Sequence, residues 1–308
     1  MLKYVKENNI NIVHFQHEFS FFHNKNALAK LLQDLNTIDV KTIVTLHSFC
    51  PKLTAYNFML AKNASKLLMH AKPFVKEFIA EALNSPVKLK VDNLEYIPMG
   101  CNLPIEYDKT KVMQTKKLLN IDSYFPIIGS FGFLRDQKGY RDIVLSLHEL
   151  KKVYDNPLCL IYAPSHEFGN KYYDETFFKF IEQEKLEKNV LIIREYAKEE
   201  KMLKILQTVD LFILNYKDSP GGGGISAAVK TLMSTQRPII TTNSMAFSDL
   251  DKEIIRLENT DPQDLAKATQ SLLANPQLLD SLIKKANLFL ENNSWKNVVE
   301  KHIKVYGE

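Results

Sequence analysis

Residues 126–139 read PIIGSFGFLRDQKG, and this stretch decides the fold class of the chain. Its first part, Pro126–Phe131, is a short apolar run with the small residues Gly129 and Ser130 near its carboxyl end. A polar turn with Arg135 and Lys138 follows, and apolar residues with helical spacing begin at Ile143. Short runs rich in Ile, Val, Leu and Phe are typical of strands buried on both faces of a parallel sheet. A buried strand, a turn and a helix in this order predict a βαβ unit.

The same alternation continues along all 308 residues. The apolar runs are Ile10–Phe15, Thr42–Leu46, Lys66–Met69, Leu94–Pro98, Pro126–Phe131, Leu158–Ala163, Val190–Ile193, Leu211–Leu214 and Pro238–Thr241. Between them, apolar residues three and four positions apart predict helices, for example over Pro73–Leu83, Ile143–Tyr154 and Glu199–Thr208. The predicted fold class is therefore α/β, with parallel sheets covered by helices.

The length of the chain predicts two domains, at roughly 150 residues per domain. A turn-rich, polar segment over 99–112 separates the two sets of predicted strands. We therefore predict a first domain over 1–104, a second over 105–290, and a C-terminal helix over 291–308 that packs back toward the first domain.

Composition excludes several classes of protein. A hydrophobic fraction of 45% and a charged fraction of 25% exclude a disordered chain and a collagen-like chain. A net charge of +4, without a basic stripe rich in aromatic residues, argues against nucleic-acid binding. Three cysteines without C-x-x-C spacing fit a reducing cytosol, and no apolar run is long enough to span a membrane. We predict a cytoplasmic protein whose weak positive charge permits peripheral contact with the inner membrane face.

Glycine is scarce in this chain, which has ten, and none occurs in residues 1–99. Four of the ten form the run 221–224, between a predicted strand and a helix over Ala227–Thr235. Backbone N–H groups before a helix bind anions readily, so we predict an anion site at the residues Gly222, Gly223, Gly224 and Ser226. Ser226 would either cap the helix or donate to a phosphate, and the alternative for the run is an irregular surface loop.

The turn after Pro126–Phe131 predicts a second part of the same site. Gly132 leaves room for a ligand, and the cations of Arg135 and Lys138 could grip a diphosphate. In open α/β sheets, ligands bind beyond the carboxyl ends of the strands. The alternative, a plain turn with solvated charges, is equally compatible with the spacing.

Polar residues also follow strands in the first domain. His17 and Glu18 come after the run Ile10–Phe15, and His47 directly follows the run Thr42–Leu46. We predict that these three side chains are the catalytic residues, which either bind a sugar hydroxyl and position the acceptor or handle a proton. A zinc site is disfavoured because there is no H-E-x-x-H pattern, and His14 is predicted to be a core histidine.

A further polar pair follows the predicted strand Leu158–Ala163. His166 and Glu167 are candidates for substrate contact, and a plain loop is an equal alternative.

Seven segments in this order resemble the retaining glycosyltransferases of the GT-B fold, family 4, also called group 1. They are NIVHFQHEF, TIVTLHSF, IPMGCN, GSFGFLRDQKG, YAKEEKMLKILQTVDLFILNY, STQRPIITTNS and NNSWKNVVEKHIKVY. The similarity covers nearly the whole chain. Each motif is loose, but their collinear order is fairly specific.

The resemblance implies two Rossmann-like domains facing a cleft, with the nucleotide sugar on the second domain and the acceptor on the first. It implies no metal and no cofactor, and a UDP- or GDP-linked sugar as co-substrate. Lys138 matches the family lysine that binds the diphosphate, and His47 matches the acceptor-domain histidine at the reacting sugar.

Three departures from the family pattern stand out. The motif arginine falls on Phe133, and Arg135 is the candidate substitute. The two glutamates of the E-x7-E motif fall on Gly223 and Thr231, so Thr231 would hold the ribose more weakly. The strand and glycine loop that open the family's first domain have no counterpart, which predicts a shortened first domain, an open cleft there, or a partner chain that completes it.

Two functions follow from these observations. The leading hypothesis is a glycosyltransferase that moves a sugar from a nucleotide sugar to a glycan, lipid-linked or protein acceptor with retention. The alternative is a non-catalytic, GT-B-like binding or scaffold subunit that partners an active glycosyltransferase, since both motif glutamates are replaced. An oxidoreductase is disfavoured because no G-x-G-x-x-G follows a predicted strand.

Overall fold

The chain forms two compact units. A computed structural model describes residues 1–19, 21–22, 25–50, 53–85, 91–165, 171–218 and 223–308. Unit 1 comprises Met1–Gly100, Asp218–Ile225 and Trp295–Glu308, and unit 2 comprises Cys101–Lys217 and Ser226–Ser294.

The described strands are short, as expected for sheets covered by helices. In chain order they are β1 (Ile12–His17), β2 (Lys41–Leu46), β3 (Ser48–Phe49), β4 (Lys66–Met69), β5 (Leu94–Tyr96), β6 (Ile127–Phe131), β7 (Leu158–Tyr162), β8 (Val190–Ile193), β9 (Leu211–Leu214), β10 (Gly223–Gly224), β11 (Ile239–Thr242) and β12 (Ile255–Leu257).

Helices separate most of these strands. They are α1 (Leu2–Glu7), α2 (Lys25–Asn36), α3 (Thr54–Asn63), α4 (Lys72–Leu83), α5 (Lys109–Leu118), α6 (Tyr140–Leu150), α7 (Lys171–Gln183), α8 (Glu199–Leu206), α9 (Ala227–Met233), α10 (Pro262–Leu273), α11 (Pro276–Asn292) and α12 (Trp295–Gly307). Three of them carry proline in the first turn, where the missing N–H has no helical partner in any case.

Unit 1 is built on a parallel sheet with the strand order β1-β2-β4-β5. Strand β2, one of the two inner strands, is buried from Thr42 to Leu46, as expected for a strand that is covered on both faces. Helix α12 covers one face of this sheet, where Val298 and Val305 pack against Ile43, Leu68 and Ile97. A separate two-stranded sheet pairs β3 with β10 in antiparallel fashion.

Unit 2 is a doubly wound sheet with the order β12-β11-β9-β6-β7-β8. Its first strand, β6, lies in the middle, and the chain adds β7 and β8 on one side and β9, β11 and β12 on the other. Alternate residues of each strand point to opposite faces, so Leu160 and Phe212 enter one core while Ile161 and Ile213 enter the other. The order of strands reverses between β6 and β9, which is where such sheets bind ligands.

The predicted α/β class is confirmed, and each of the nine predicted runs overlaps a strand. Several strand boundaries differ from the predicted ones by one or two residues, and the largest shift is in β1, which begins at Ile12 and continues through His17 instead of ending at Phe15. The pairing of β1 with β2 extends that far, with His17 opposite Leu46, and His17 O accepts a hydrogen bond from His47 N at 3.0 Å.

The cysteines and the apolarity of the helices complete the description of the fold. Cys50, Cys101 and Cys159 are buried and form no disulfide with one another, and burial raises the pKa of Cys101 to about 11 and that of Cys159 to about 12. Among the helices in the described ranges, none combines the length and the apolarity that a bilayer crossing requires.

Candidate functional site

Two loops meet at the reversal point of unit 2. One follows β6 and the other follows β9, the two neighbouring strands at which the winding changes direction. The N–H of Lys217 donates to Gln137 O at 2.9 Å, which ties the second loop to the first. Gly139 lies against Asn215 at φ 63°, and an added Cβ there would be 2.1 Å from Asn215 O. Only glycine fits this junction, because both the backbone conformation and the space exclude a side chain.

Gly132 opens the loop after β6. Its N–H donates to Tyr162 O at 3.1 Å, and its carbonyl accepts a hydrogen bond from the Tyr140 hydroxyl at 2.7 Å. Asp136–Lys138 then form one 3₁₀ turn that leads into α6. The buried phenol of Tyr140 therefore fixes the start of the loop from which Lys138 projects.

Lys138 is the partly buried cation of this loop. Its Nζ lies 3.6 Å from the centre of the Tyr216 ring, a cation–π contact across the two loops. Burial, and secondly the charge of Arg135, lowers the pKa of Lys138 to about 8. In the parts of the chain that are described, no carboxylate forms an ion pair with this ammonium group. A partly desolvated cation without a carboxylate is poised to bind an anionic ligand.

Arg135 is exposed on the same turn. Its guanidinium carbon lies 6.0 Å from the centre of the Phe133 ring. The predicted pair of cations is therefore present on one turn, with one partly buried and the other in solvent.

A pocket of about 600 Å³ opens beside this turn. Its walls come from the ends of β6 and β7, the segment before α8, and the first turns of α9. The walls are mostly apolar and aromatic, with a few polar groups. Lining residues include Phe131, Gly132, Phe133, Lys138, Tyr162, Tyr196, Lys198, Glu199 and Thr231. This volume and lining are typical of a site for a small organic ligand.

Thr231 lines the pocket from α9, and Ser226 lies at the N-terminal end of that helix. The Ser226 hydroxyl accepts from Val229 N at 3.4 Å, so the serine caps its own helix, which was one of the two predicted roles. On the other face of α9, Lys230 pairs with Asp249 at 2.7 Å, and both side chains are almost fully buried. This pair anchors the helix that presents Thr231.

Glu199 is a pocket residue that sequence reasoning missed. It is the first residue of α8, and it supplies the one carboxylate among the described lining residues. Asn102 Nδ2 donates to Glu199 Oε1 at 2.7 Å and so orients the carboxylate. The signal that could have found it is its place after β8, because the ends of parallel strands carry the polar residues of such sites.

The glycine run is described only in part. Gly222, like 219–221, lies outside the described residues. Gly223 and Gly224 form strand β10, which pairs with Phe49 and Ser48 of unit 1. An added Cβ at Gly224 would lie 2.3 Å from His47 O, whereas one at Gly223 would meet nothing within 4 Å. The sequence indicated open N–H groups here, and the structure instead uses this backbone in a strand pair beside His47.

The predicted polar residues of unit 1 lie near one another. Glu18 accepts from the Ser48 hydroxyl at 2.6 Å and from Phe19 N at 3.0 Å. His47 is half-buried, and its Nε2 lies 2.8 Å from Gln16 Oε1. Burial lowers the pKa of His47, while the charge of Glu18 acts in the opposite direction. The carboxylate and the imidazole are thus held by neighbouring groups at the ends of β1 and β2.

His17 has a different environment. Its side chain is 0% exposed, stacks on Phe22 at 5.0 Å and has Nε2 2.8 Å from the Tyr56 hydroxyl. Burial lowers the pKa of His17 and raises that of Tyr56 to about 12. His17 is therefore enclosed by the aromatic side chains around it.

The predicted substrate pair and a possible metal site complete the comparison with the sequence predictions. His166 and Glu167 lie outside the described residues. Within the described ranges, no three His, Cys, Asp or Glu side chains come together as a group that could hold a metal ion.

Comparisons with known proteins identify the family of the chain and agree with its fold. The family model for glycosyl transferases group 1 matches residues 113–289. The structure is similar to Anabaena HepE solved with UDP (TM-score 0.79, 12% identity, 99% of this chain and 81% of that chain). It is also similar to a glycosyltransferase from Rickettsia africae (TM-score 0.75, 17% identity, 99% of this chain and 78% of that chain). Sucrose-phosphate synthase from Thermosynechococcus elongatus is similar with a TM-score of 0.75 and 15% identity, over 99% of this chain and 75% of that chain. A search among curated protein sequences finds no significant match.

Proposed function

The chain belongs to the glycosyl transferases of group 1 and has the GT-B fold, and from this premise we propose that unit 2 binds a nucleotide sugar in the pocket beside Lys138. The observation that carries the proposal is Lys138 itself, a partly buried cation at the reversal point of the sheet. A diphosphate supplies the two negative charges that such a cation favours. Because Anabaena HepE was solved with UDP and with UDP-glucose, UDP is the first nucleotide to test.

The proposed reaction transfers the sugar with retention of the anomeric configuration. The bond between the anomeric carbon and the diphosphate oxygen breaks, a bond from that carbon to the oxygen of an acceptor hydroxyl forms, and the proton of that hydroxyl passes to the departing diphosphate. Negative charge grows on the departing diphosphate, so fixed positive groups beside it lower the barrier. Lys138 and Arg135 are the residues proposed for this task, and we propose that no metal ion is needed.

We propose that unit 1 binds the acceptor, which is a glycan, a lipid-linked sugar or a protein. Glu18 and His47 offer an oriented carboxylate and a half-buried imidazole, both of which bind sugar hydroxyls well. His17 supports this region through Tyr56 and Phe22. We also propose a cytoplasmic location with peripheral attachment to the inner membrane face, and a partner chain for unit 1.

The direct test is titration of the protein with UDP and with GDP by isothermal calorimetry, followed by an assay of nucleotide release from the corresponding sugar nucleotides. Binding of one nucleotide with turnover supports the transferase. Binding without turnover in the presence of acceptor extracts supports the alternative, a scaffold subunit. The observation that favours this alternative is the replacement of both motif glutamates by Gly223 and Thr231. If neither nucleotide binds, the donor site is wrong.

Glu199 is proposed to hold the ribose, because a carboxylate accepts hydrogen bonds from both hydroxyls of a diol. Glu199→Gln should weaken UDP binding about tenfold, the scale of a lost charged hydrogen bond. It should also remove most of the preference for UDP over 2′-deoxy-UDP. The matched control is Glu200→Gln, since Glu200 is exposed and pairs with Lys204 at 2.6 Å. Equal affinities for the two nucleotides in the unmodified protein would contradict the role.

UDP affinity should fall as the pH rises from about 7 to about 9, by up to about tenfold. The lowered pKa of Lys138, about 8, means that the ammonium group loses its proton in this range. The terminal phosphate of UDP is already ionised in this pH range, since the second pKa of such groups is about 6. Calorimetry across this range measures the change. Lys138→Arg keeps its charge throughout and should give a flat profile, and a flat profile of the unmodified protein would refute the assignment.

A further inference from the structure

We propose that Gln16 is a positioning residue for His47, because its side-chain amide joins His47 to His14 and Tyr306 in one chain of hydrogen bonds that sets the ring tautomers. The proposal rests on the proposed role of His47 at the acceptor. The hydrogen-bond chain itself, however, belongs to unit 1 and is testable without any substrate.

The chain of hydrogen bonds is continuous over four side chains. The Tyr306 hydroxyl lies 2.8 Å from His14 Nδ1, and Gln16 Nε2 lies 3.2 Å from His14 Nε2. Gln16 Oε1 is in turn 2.8 Å from His47 Nε2. The Thr45 hydroxyl adds a branch, 2.7 Å from His14 Nε2.

The sheet of unit 1 explains why these residues meet. His14 and Gln16 are two positions apart on β1, so their side chains share one face, while Phe15 and His17 are buried on the other. Thr45 of β2 stands in register with Gln16. Helix α12 covers this face and brings Tyr306 to His14.

The amide forces the two rings into complementary states, because it donates at one end and accepts at the other. With its N–H₂ toward His14, the Nε2 of His14 must be unprotonated and that of His47 must carry hydrogen. Turning the amide over reverses both assignments. In either orientation, one of the two Nε2 atoms carries hydrogen and the other does not.

The described orientation therefore assigns the hydrogen of His47 to Nε2. Its Nδ1 is then the ring atom that accepts a hydrogen bond, which suits a sugar hydroxyl as donor. The hydrogen of His14 lies on Nδ1, from which it is donated to Tyr306. Without Gln16, His47 would populate both tautomers and would present the acceptor atom for only part of the time.

Both rings must be neutral for this arrangement, and their surroundings favour that state. Burial, and then the charges of His302 and His47, lower the pKa of His14 to about 4. His302 lies on the same side, with its ring centre 5.7 Å from that of His14. Burial likewise lowers the pKa of His47, against the charge of Glu18.

The experiment is nitrogen NMR of the full chain labelled with ¹⁵N-histidine, which reports the tautomer of each ring. The unmodified protein should show one tautomer for His47, with hydrogen on Nε2, and the opposite tautomer for His14. Gln16→Leu should give a mixture at His47 and should lower kcat about tenfold, the scale of one misplaced hydrogen bond, with little change in KM for the nucleotide sugar. Gln16→Glu still accepts from His47 and should restore its tautomer.

A control and a second variant make the result decisive. Gln33 is exposed on α2, and Gln33→Leu should leave both tautomers and kcat unchanged. Tyr306→Phe should shift His47 as well as His14, because it removes the far end of the chain of hydrogen bonds. A mixture of tautomers at His47 in the unmodified protein, or a His47 signal that ignores both Gln16→Leu and Tyr306→Phe, would overturn the proposal. UDP binding reports separately on unit 2, so failure of the proposed function is distinguishable from failure of this inference.

Discussion

Lys138→Ala is expected to weaken UDP binding about 10- to 100-fold and to slow sugar transfer about 100- to 1000-fold. The larger effect on transfer follows because charge on the diphosphate grows as the glycosidic bond breaks, so the ammonium group interacts more strongly with the transition state than with the bound donor. Calorimetry measures the first change, and nucleotide release at saturating donor measures the second.

The stability of Lys138→Ala distinguishes a role of Lys138 in binding the diphosphate from a role in stabilising the fold. Lys138 has a partly desolvated charge and a contact with the Tyr216 ring, so its removal should change the free energy of unfolding by less than about 1 kcal/mol. Lys201→Ala is the matched control, since Lys201 is exposed and pairs with Glu195 at 2.9 Å. If Lys138→Ala binds UDP as well as the control does, Lys138 does not hold the diphosphate.

Gly224→Ala is expected to separate β10 from β3 and to lower transfer about 10- to 100-fold, with a loss of about 1–3 kcal/mol in stability. The new Cβ would lie 2.3 Å from His47 O and 3.2 Å from Ser48 Oγ. The first of these atoms is backbone, so relief requires the pair of strands to move apart and the segment that carries His47 to shift.

Gly223→Ala provides the control, because a Cβ at that neighbouring position meets nothing within 4 Å. UDP binding should remain normal in both variants, since the proposed donor pocket lies in unit 2. Thermal unfolding and initial rates with acceptor measure the difference. Indistinguishable rates and melting temperatures for the two alanine variants would show that close packing at Gly224 is unimportant.

The α/β architecture was predictable because a strand covered on both faces must be apolar along its length. Lys66–Met69, Val190–Ile193 and Leu211–Leu214 were predicted to the residue. Helix starts were readable for a related reason, since Pro73 falls in the first turn of α4 as expected. These signals are local, and a sequence displays local signals directly.

The pairing of β3 with β10 was not predictable. Each strand has two residues, and the partners are roughly 175 positions apart in the chain. Two residues are too few to show an alternation of apolar and polar side chains, and Gly223 and Gly224 are as compatible with an open loop as with a strand. Edge strand β12, with three half-buried residues, was missed for the same lack of pattern.

The candidate site was predictable where residues stood directly after a strand. Gly132 and Lys138 were found in this way, and both line the pocket. Glu199 was missed because an acidic residue at the start of a helix is also explained by the helix dipole. Gln16 was missed because an exposed polar residue in a strand carries no sequence signal of the hydrogen bonds that it makes.

The path of the chain between the two units has a practical consequence for protein engineering. Asp218–Ile225 belongs to unit 1 although the residues before and after it belong to unit 2, and Trp295–Glu308 returns to unit 1 at the end. Four junctions therefore separate the units along the chain, after Gly100, Lys217, Ile225 and Ser294. A fragment cut near residue 100 would lack both the strand that pairs with β3 and the helix that covers the sheet. Chimeras that exchange unit 2 between relatives must accordingly be spliced at four places, and the short insert over 218–225 should travel with unit 1.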